Sequence, residues 1–213
     1  MPNDQSLKDS IHDKILEGIF NNEYTPNQIL NEKELVAKFG CSKSPVREAL
    51  ISLCNEGVLR NIPRCGYEIT RLTMADAEQI QDYRRVLECG MLRRNYKRIS
   101  PRQIDKLREL NQQCLDTTHI YDHWESVVAF HLQLIRYSQN QYAYNELKRA
   151  MSVLRRAYAQ IYWDRWDEAA PPLDTSNHEK ILKCLEAGDI DGAVQALSDD
   201  LNDFGPDNLV DKC

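Results

Sequence analysis

Between Lys33 and Arg71 the chain carries seven basic residues (Lys33, Lys38, Lys43, Arg47, Arg60, Arg64, Arg71) against four acidic ones (Glu34, Glu48, Glu56, Glu68). The whole chain of 213 residues has the opposite balance, with a formal net charge of −6. A locally positive stretch inside an acidic protein is the electrostatic footprint of a nucleic-acid reader. Ser42, Lys43, Ser44 and Arg47 are the residues in it best suited to that chemistry. An arginine forks onto guanine O6 and N7, a contact worth about 1–3 kcal/mol of discrimination. Serine hydroxyls at a helix N-terminus suit phosphate oxygens. Read singly, each of these side chains is an ordinary solvated polar group.

Their meaning depends on the elements that hold them. Leu7, Ile11, Ile15 and Ile19 recur every four residues, the stripe of an amphipathic helix. Tyr24-Thr25-Pro26-Asn27 reads as a turn, with proline preset at its second position and asparagine tolerating positive φ at its third. A second helix starts at the N-cap Asn31 and stops at Gly40. After only about two residues a third starts at Ser42, with Pro45 in its first turn where a missing N–H is tolerated. Burying Val46, Ala49, Leu50 and Leu53 on one face turns Lys43, Ser44 and Arg47 to the other. Residues 59–62 and 67–70 read as short strands about the turn Pro63-Arg64-Cys65-Gly66. The sum is a winged helix-turn-helix, with Arg64 at the wing tip beside the permissive Gly66, and Lys33 placed for a DNA backbone.

Beyond Leu72 the pattern is helical only. Helices are expected over 73–95, 101–117, 122–138, 141–166, 176–187 and 190–204, broken by Ala170-Pro171-Pro172. The fold class is therefore mainly α: an N-terminal winged helix-turn-helix over 1–72 and a C-terminal all-α six-helix bundle over 73–213. On the first bundle helix the apolar Ile80, Val86, Leu87 and Met91 are expected to face inward, which brings Arg84 close to the core. An arginine there needs an anion, either a ligand or an acidic neighbour such as Glu88. Arg155 and Arg156 share that ambiguity, and Tyr158, Tyr162, Trp163 and Trp166 read as core or interface. Seven cysteines without a CxxC pair argue against a disulfide framework or zinc ribbon. A mean hydropathy of −0.60 and the absence of a long apolar run exclude a membrane span, and a cytoplasmic location is the expectation.

The stretch Leu30-Asn31-Glu32-Lys33-Glu34-Leu35-Val36-Ala37, followed by Cys41-Ser42-Lys43-Ser44-Pro45-Val46-Arg47-Glu48-Ala49-Leu50, closely resembles the GntR family of bacterial transcription regulators. Asn55-Glu56-Gly57-Val58-Leu59 and the Gly66 wing extend the match. The resemblance implies DNA contacts at Lys33, Ser42, Lys43, Ser44, Arg47 and Gly66. Asn27 stands where the family usually has glycine. Lys43 replaces a usual arginine and, lacking the planar fork, suits phosphate better than guanine.

The second half resembles the ligand-binding domain of the FadR branch, through Arg84-Arg85-Val86-Leu87-Glu88, Phe130-His131 with Ser138-Gln139-Asn140, and His178-Glu179-Lys180-Ile181-Leu182 with Ala187-Gly188-Asp189. Six helices place it nearer the shorter, VanR-like subgroup. That branch implies a small carboxylate effector held by Arg84, a homodimer, and a double-stranded DNA operator that is most often repressed. Many members hold a divalent metal, and position by position the set here is Val127, His131, His178 and Asp200. Valine cannot ligate, and His123 lies about 12 Å along the helix from His131, too far to replace it. Two imidazoles and a carboxylate still suit Zn, Ni, Mn or Fe. The alternatives are a metal-free sensor of an apolar or acyl ligand, with both histidines as buried core residues, and a 2-His-1-carboxylate metalloenzyme.

Overall fold

The structure, a computed structural model, describes residues 6–117, 120–161 and 175–202. These form two compact units. The first runs to Thr73 and takes in the end of a later helix from Arg156 on, and the second comprises the rest.

In the first unit, helices α1 (Leu7–Phe20), α2 (Glu32–Phe39) and α3 (Lys43–Asn55) pack through the stripes read from the sequence. Ile11, Ile15 and Ile19 of α1 meet Val46, Ala49, Leu50 and Leu53 of α3, with Leu35 of α2 closing the core. Burying each such side chain contributes about 1.5–3 kcal/mol relative to leaving it exposed, so this cluster sets the pitch of the helix-turn-helix. The boundaries follow local chemistry. Asn31 caps α2 by accepting from the Lys33 amide at 2.9 Å, and Gly40 ends it in the left-handed region (φ 61°). Asn27 takes positive φ (65°) in the turn after α1, as its type allows.

The sheet has one strand more than expected. Strands β2 (Leu59–Ile62) and β3 (Gly66–Ile69) form the wing, and β1 (Ile29–Leu30) pairs antiparallel with β3, giving the order β1-β3-β2. The register opposes Leu30 to Tyr67 and Ile29 to Glu68. Two residues are too few for a period-2 pattern, so β1 leaves no signal of its own in the sequence. It explains Gly66, whose backbone (φ 139°) runs so close to β1 that an added Cβ would lie 2.5 Å from the Leu30 carbonyl oxygen. The end of the long helix α7 (Gln141–Ile161) also belongs to this unit. Gln160 accepts from the Leu72 amide at 2.8 Å and donates to the Thr70 carbonyl at 3.1 Å, while buried Arg156 donates to the Gly57 carbonyl at 3.2 Å.

The second unit is built from α4 (Met74–Asn95), α5 (Pro101–Asp116), α6 (Ile120–Arg136), the first part of α7, α8 (Ser176–Ala187) and α9 (Ile190–Asn202). Leu92, Ile104, Leu107, Phe130, Leu134, Ile181, Leu182, Leu197 and Leu201 form its apolar core. Ser100 and Gln103 make a reciprocal capping box at the start of α5, and Gly188 ends α8 at φ 72°.

One expectation fails in part: Arg84 lies in the core and Ile80, Leu87 and Met91 are half-buried, but Val86 does not face inward. Val86 is 80% exposed, and the buried face of α4 is Ala77, Gln81, Arg84, Glu88, Leu92 and Asn95. Polar side chains that satisfy one another can occupy a helix's inner face, and a reading by apolar residues alone rotates such a helix wrongly. The described cysteines (41, 54, 65, 89, 114 and 184) are free thiols. Tyr158 is buried, whereas Tyr162, Trp163 and Trp166 lie outside the described residues. Among the described residues no helix is long and apolar enough to cross a membrane.

Gly66→Ala is expected to lower the stability of the first unit by about 1–3 kcal/mol, because the new methyl cannot share space with the Leu30 carbonyl. Denaturant unfolding measures this, and an unchanged midpoint would show that β1 does not pack as described.

Candidate functional site

The recognition face lies on the first unit. Lys33, Ser42, Lys43, Ser44, Arg47 and Arg64 are all exposed, and Gly66 is half-buried beneath β1. Ser42 occupies the N-cap of α3 with extended backbone but makes no side-chain cap hydrogen bond, so its hydroxyl remains available to a partner. Ser44 donates to Glu48 at 2.8 Å. The wing turn is closed by the Cys65 amide donating to the Ile62 carbonyl at 3.0 Å, and it holds Arg64 at positive φ (67°).

Three cations of the positive stretch are already paired: Lys38 with Glu23, Arg60 with Glu68, and Arg47 with Glu32. Lys33, Lys43 and Arg64 have no ion-pair partner among the described residues, which suits them to phosphate. Sequence reasoning missed Glu32. As the first residue of α2 it reads as a carboxylate complementing the helix dipole, and nothing in the spacing joins it to Arg47.

The second site is a buried polar centre drawn from five helices of the second unit. Arg84 on α4, 1% exposed, donates from Nε to Glu88 Oε1 at 2.8 Å and from Nη1 to Gln81 Oε1 at 3.0 Å. Its Nη2 has no hydrogen-bond partner among the described residues. Glu88 Oε2 accepts from His131 Nδ1 on α6 at 2.7 Å, and Asn111 Oδ1 on α5 accepts from His178 Nδ1 on α8 at 3.1 Å. With both Nδ1 atoms turned to these acceptors, the Nε2 atom of each imidazole is the one that faces Asp200. Asp200 on α9 meets them, with Oδ2 at 3.2 Å from His131 Nε2 and Oδ1 at 3.5 Å from His178 Nε2. The closer approach has an ion pair's distance without a hydrogen bond's angles, so His131 Nε2 and Asp200 Oδ2 are left unsatisfied. Phe130 stacks on His178 with ring centroids 3.9 Å apart, fixing the imidazole plane.

Charge governs this centre. Burial alone would raise the Glu88 carboxyl, but Arg84 and His131 outweigh it and hold it below the usual carboxylate range. Burial likewise opposes ionisation of Asp200, and His131 and His178 reverse that effect. Burial pushes His178 down to about 4, with His131 and His123 adding to the effect, so it is a neutral imidazole at ordinary pH.

His131, His178 and Asp200 bring their ligand atoms within 4.8 Å of one another. The implied ligands are thus assembled, and the donor set fits a divalent ion. Ligands at about 2.1 Å from a tetrahedral ion stand about 3.4 Å apart; the 3.2 and 3.5 Å approaches run to different Asp200 oxygens, so one ion would draw the three ligand atoms, now within 4.8 Å of one another, slightly together. Val127 is buried and contributes only packing. His123 stands apart from the cluster, with Nδ1 directed at the Cys114 carbonyl at 3.0 Å. Burial and the Asp200 charge push the Cys114 thiol up to about 12, and Cys114 is not among the converging ligand atoms.

Of the residues sequence reasoning missed, Asn111 had a signal. It falls in the stripe Ile104, Leu107, Asn111, Cys114, where a lone amide needs a buried partner. Arg84 was expected to find either a ligand or Glu88. It holds Glu88 and keeps one nitrogen free. Arg155 pairs with Glu125 at 2.6 Å.

A winged helix with an exposed basic reading helix, carried on one chain with an all-helical unit around a buried polar centre, defines a two-unit transcription regulator. The chain belongs to the GntR family of bacterial regulatory proteins, in the branch that carries an FCD domain: the first description matches residues 7–69 and the second residues 79–203. It is 26% identical over 183 residues to the HTH-type transcriptional repressor RspR of Escherichia coli K12, covering 84% of this chain and 78% of that protein. It is 29% identical over 182 residues to the gluconate operon transcriptional repressor of Bacillus subtilis 168, covering 82% and 74%. Escherichia coli McbR/YncC shares the fold, with a TM-score of 0.74 at 18% identity over 92% of this chain and 94% of that one. A GntR regulator from Rhodococcus sp. RHA1 does so too, with a TM-score of 0.68 at 19% identity over 95% and 97%. The family and these relatives are regulators and not enzymes, which disposes of the metalloenzyme alternative.

Arg84→Met is expected to destabilise the second unit by about 3–5 kcal/mol, because it leaves the buried Glu88 carboxylate with only His131 as partner. Adding Glu88→Gln should recover most of that loss. A double-mutant cycle by denaturant unfolding checks this, and strictly additive losses would show that the two side chains are not coupled.

Proposed function

We propose that the chain is an operator-binding repressor whose grip on DNA is set by a small carboxylate, held in the helical unit with a divalent metal. The observation carrying this reading is the convergence of two imidazole Nε2 atoms and a carboxylate beside a buried arginine with one unspent N–H edge. His131, His178 and Asp200 would hold the ion, and Glu88 and Asn111 would hold the imidazoles in register. A bound Zn, Ni, Mn or Fe ion supplies open positions for carboxylate oxygens, and Arg84 Nη2 supplies a charged hydrogen bond to the same ligand class. Lys33, Ser42, Lys43, Ser44, Arg64 and the Gly66 backbone would position the reading helix on phosphates, and Arg47 would read base edges. Two relatives named as repressors support the sign of control. Effector binding shifts the DNA-competent population only if the two states bind it unequally.

A pseudo-palindromic operator calls for two copies of the chain. On the second unit Tyr83 and Val86 of α4 and Tyr142 of α7 are exposed. Burial pushes the Tyr83 phenol up, with Glu146 and Tyr142 adding to it, so the two tyrosines lie near one another. This apolar surface supports a homodimer interface.

Zn, Ni or Mn added to the chelator-stripped protein is expected to raise its thermal midpoint, with a further rise when small carboxylic acids are added. His178→Ala and Asp200→Ala should each abolish the metal-dependent rise. A carboxylate that binds equally well without metal would favour the metal-free sensor, and an apolar or acyl ligand bound in its place would favour that alternative outright. Val86→Asp with Tyr142→Asp is expected to shift the sedimentation coefficient from dimer to monomer while leaving the helical content unchanged.

A further inference from the structure

Glu32 and Arg47 are 15 positions apart in sequence yet meet side by side. Arg47 donates from Nε to Glu32 Oε2 and from Nη2 to Glu32 Oε1, both at 3.0 Å, the two-pronged geometry that orients a guanidinium most strictly. The two partners differ in exposure: the Arg47 side chain is 59% exposed and Glu32 only 18%. Glu32 is thus the fixed member, held by the first turn of α2, and Arg47 is the presented one. Two of the five guanidinium N–H groups are spent on Glu32. Those remaining, both on Nη1 and one on Nη2, lie along the end of the fork, the edge an arginine offers to guanine O6 and N7.

We infer that Glu32 is the positioning and specificity-determining residue for base readout by Arg47, a role that rests on the operator-binding reading above. The pairing does two things. It removes the rotamer freedom that a long exposed side chain would lose on binding, so the end-on edge is preset before DNA arrives. It also places a carboxylate where a swing of Arg47 onto the phosphate backbone would break two charged hydrogen bonds, which keeps this arginine on base edges while Lys33, Lys43 and Arg64 serve the backbone. An exposed pair of this kind adds little to folding stability, so its loss should be felt in recognition and not in the fold.

The test uses the full chain in selection from a randomised duplex library, comparing wild type with Glu32→Gln, Glu32→Asp and Arg47→Ala. Wild type is expected to enrich a motif in which Arg47→Ala loses the preference for one guanine. Glu32→Gln should lose about tenfold of the preference at that same guanine. Its affinity for unrelated duplex should not fall, because a negative charge has been removed, and its thermal midpoint should be unchanged. Glu32→Asp, which keeps the charge on a shorter arm, should restore part of the preference. The inference is overturned if Glu32→Gln keeps the guanine preference, if it weakens all sequences equally, or if Arg47→Ala changes no base preference. No enriched motif with wild type would instead overturn the operator-binding reading itself.

Discussion

The second unit is organised around a charge that has nowhere to go. Arg84, Glu88 and Asp200 are all buried, and one cation cannot balance two carboxylates. An isolated buried carboxylate costs so much solvation that it must be paired, protonated or bound to a cation. Glu88 takes Arg84 on one oxygen and His131 on the other, and Asp200 is left to the imidazole nitrogens. The residual negative charge is what a divalent ion, or a proton on His131, would offset. Because the participants come from five helices, that balance dictates how α4, α5, α6, α8 and α9 meet. A shift of one turn in any of them would leave a buried polar group without its partner.

The same centre marks the limit of what could be read in advance. The apolar stripes of α1 and α3 were legible because their inward residues are uniformly apolar and repeat at helical spacing. So was the stop at Gly40, where positive φ has a chemical signature. His131, His178 and Asp200 were legible as a set only through family resemblance, since nothing in their spacing across three helices places them together. The inner face of α4 was misread for the opposite reason. Its buried residues include a glutamine, an arginine and a glutamate, while valine points outward. A stripe reading assumes that buried means apolar, and a self-satisfied polar network breaks that assumption.

In the first unit the hidden element was small but consequential. Strand β1 has only two residues and no pattern, yet it determines the sheet order and leaves no room for a side chain at Gly66. The Glu32–Arg47 pair was hidden similarly, because it depends on the angle at which α2 meets α3. That angle emerges from packing Leu35 against the α1 and α3 stripes. Both features show short-range chemistry decided by long-range geometry.

Strand β1 has a further consequence for how such a reader can evolve. It is hydrogen-bonded to the wing strand β3, and the next residue after it, Asn31, caps α2. The wing is therefore tied to α2, which packs through Leu35 on the reading helix α3, and the two are not appendages joined by a loop. A promoter that drifts by a base pair between groove and flank cannot be followed by adjusting one appendage. Such a protein would track new promoters by exchanging side chains on a constant frame, so its repertoire should diversify in letters and stay fixed in spacing.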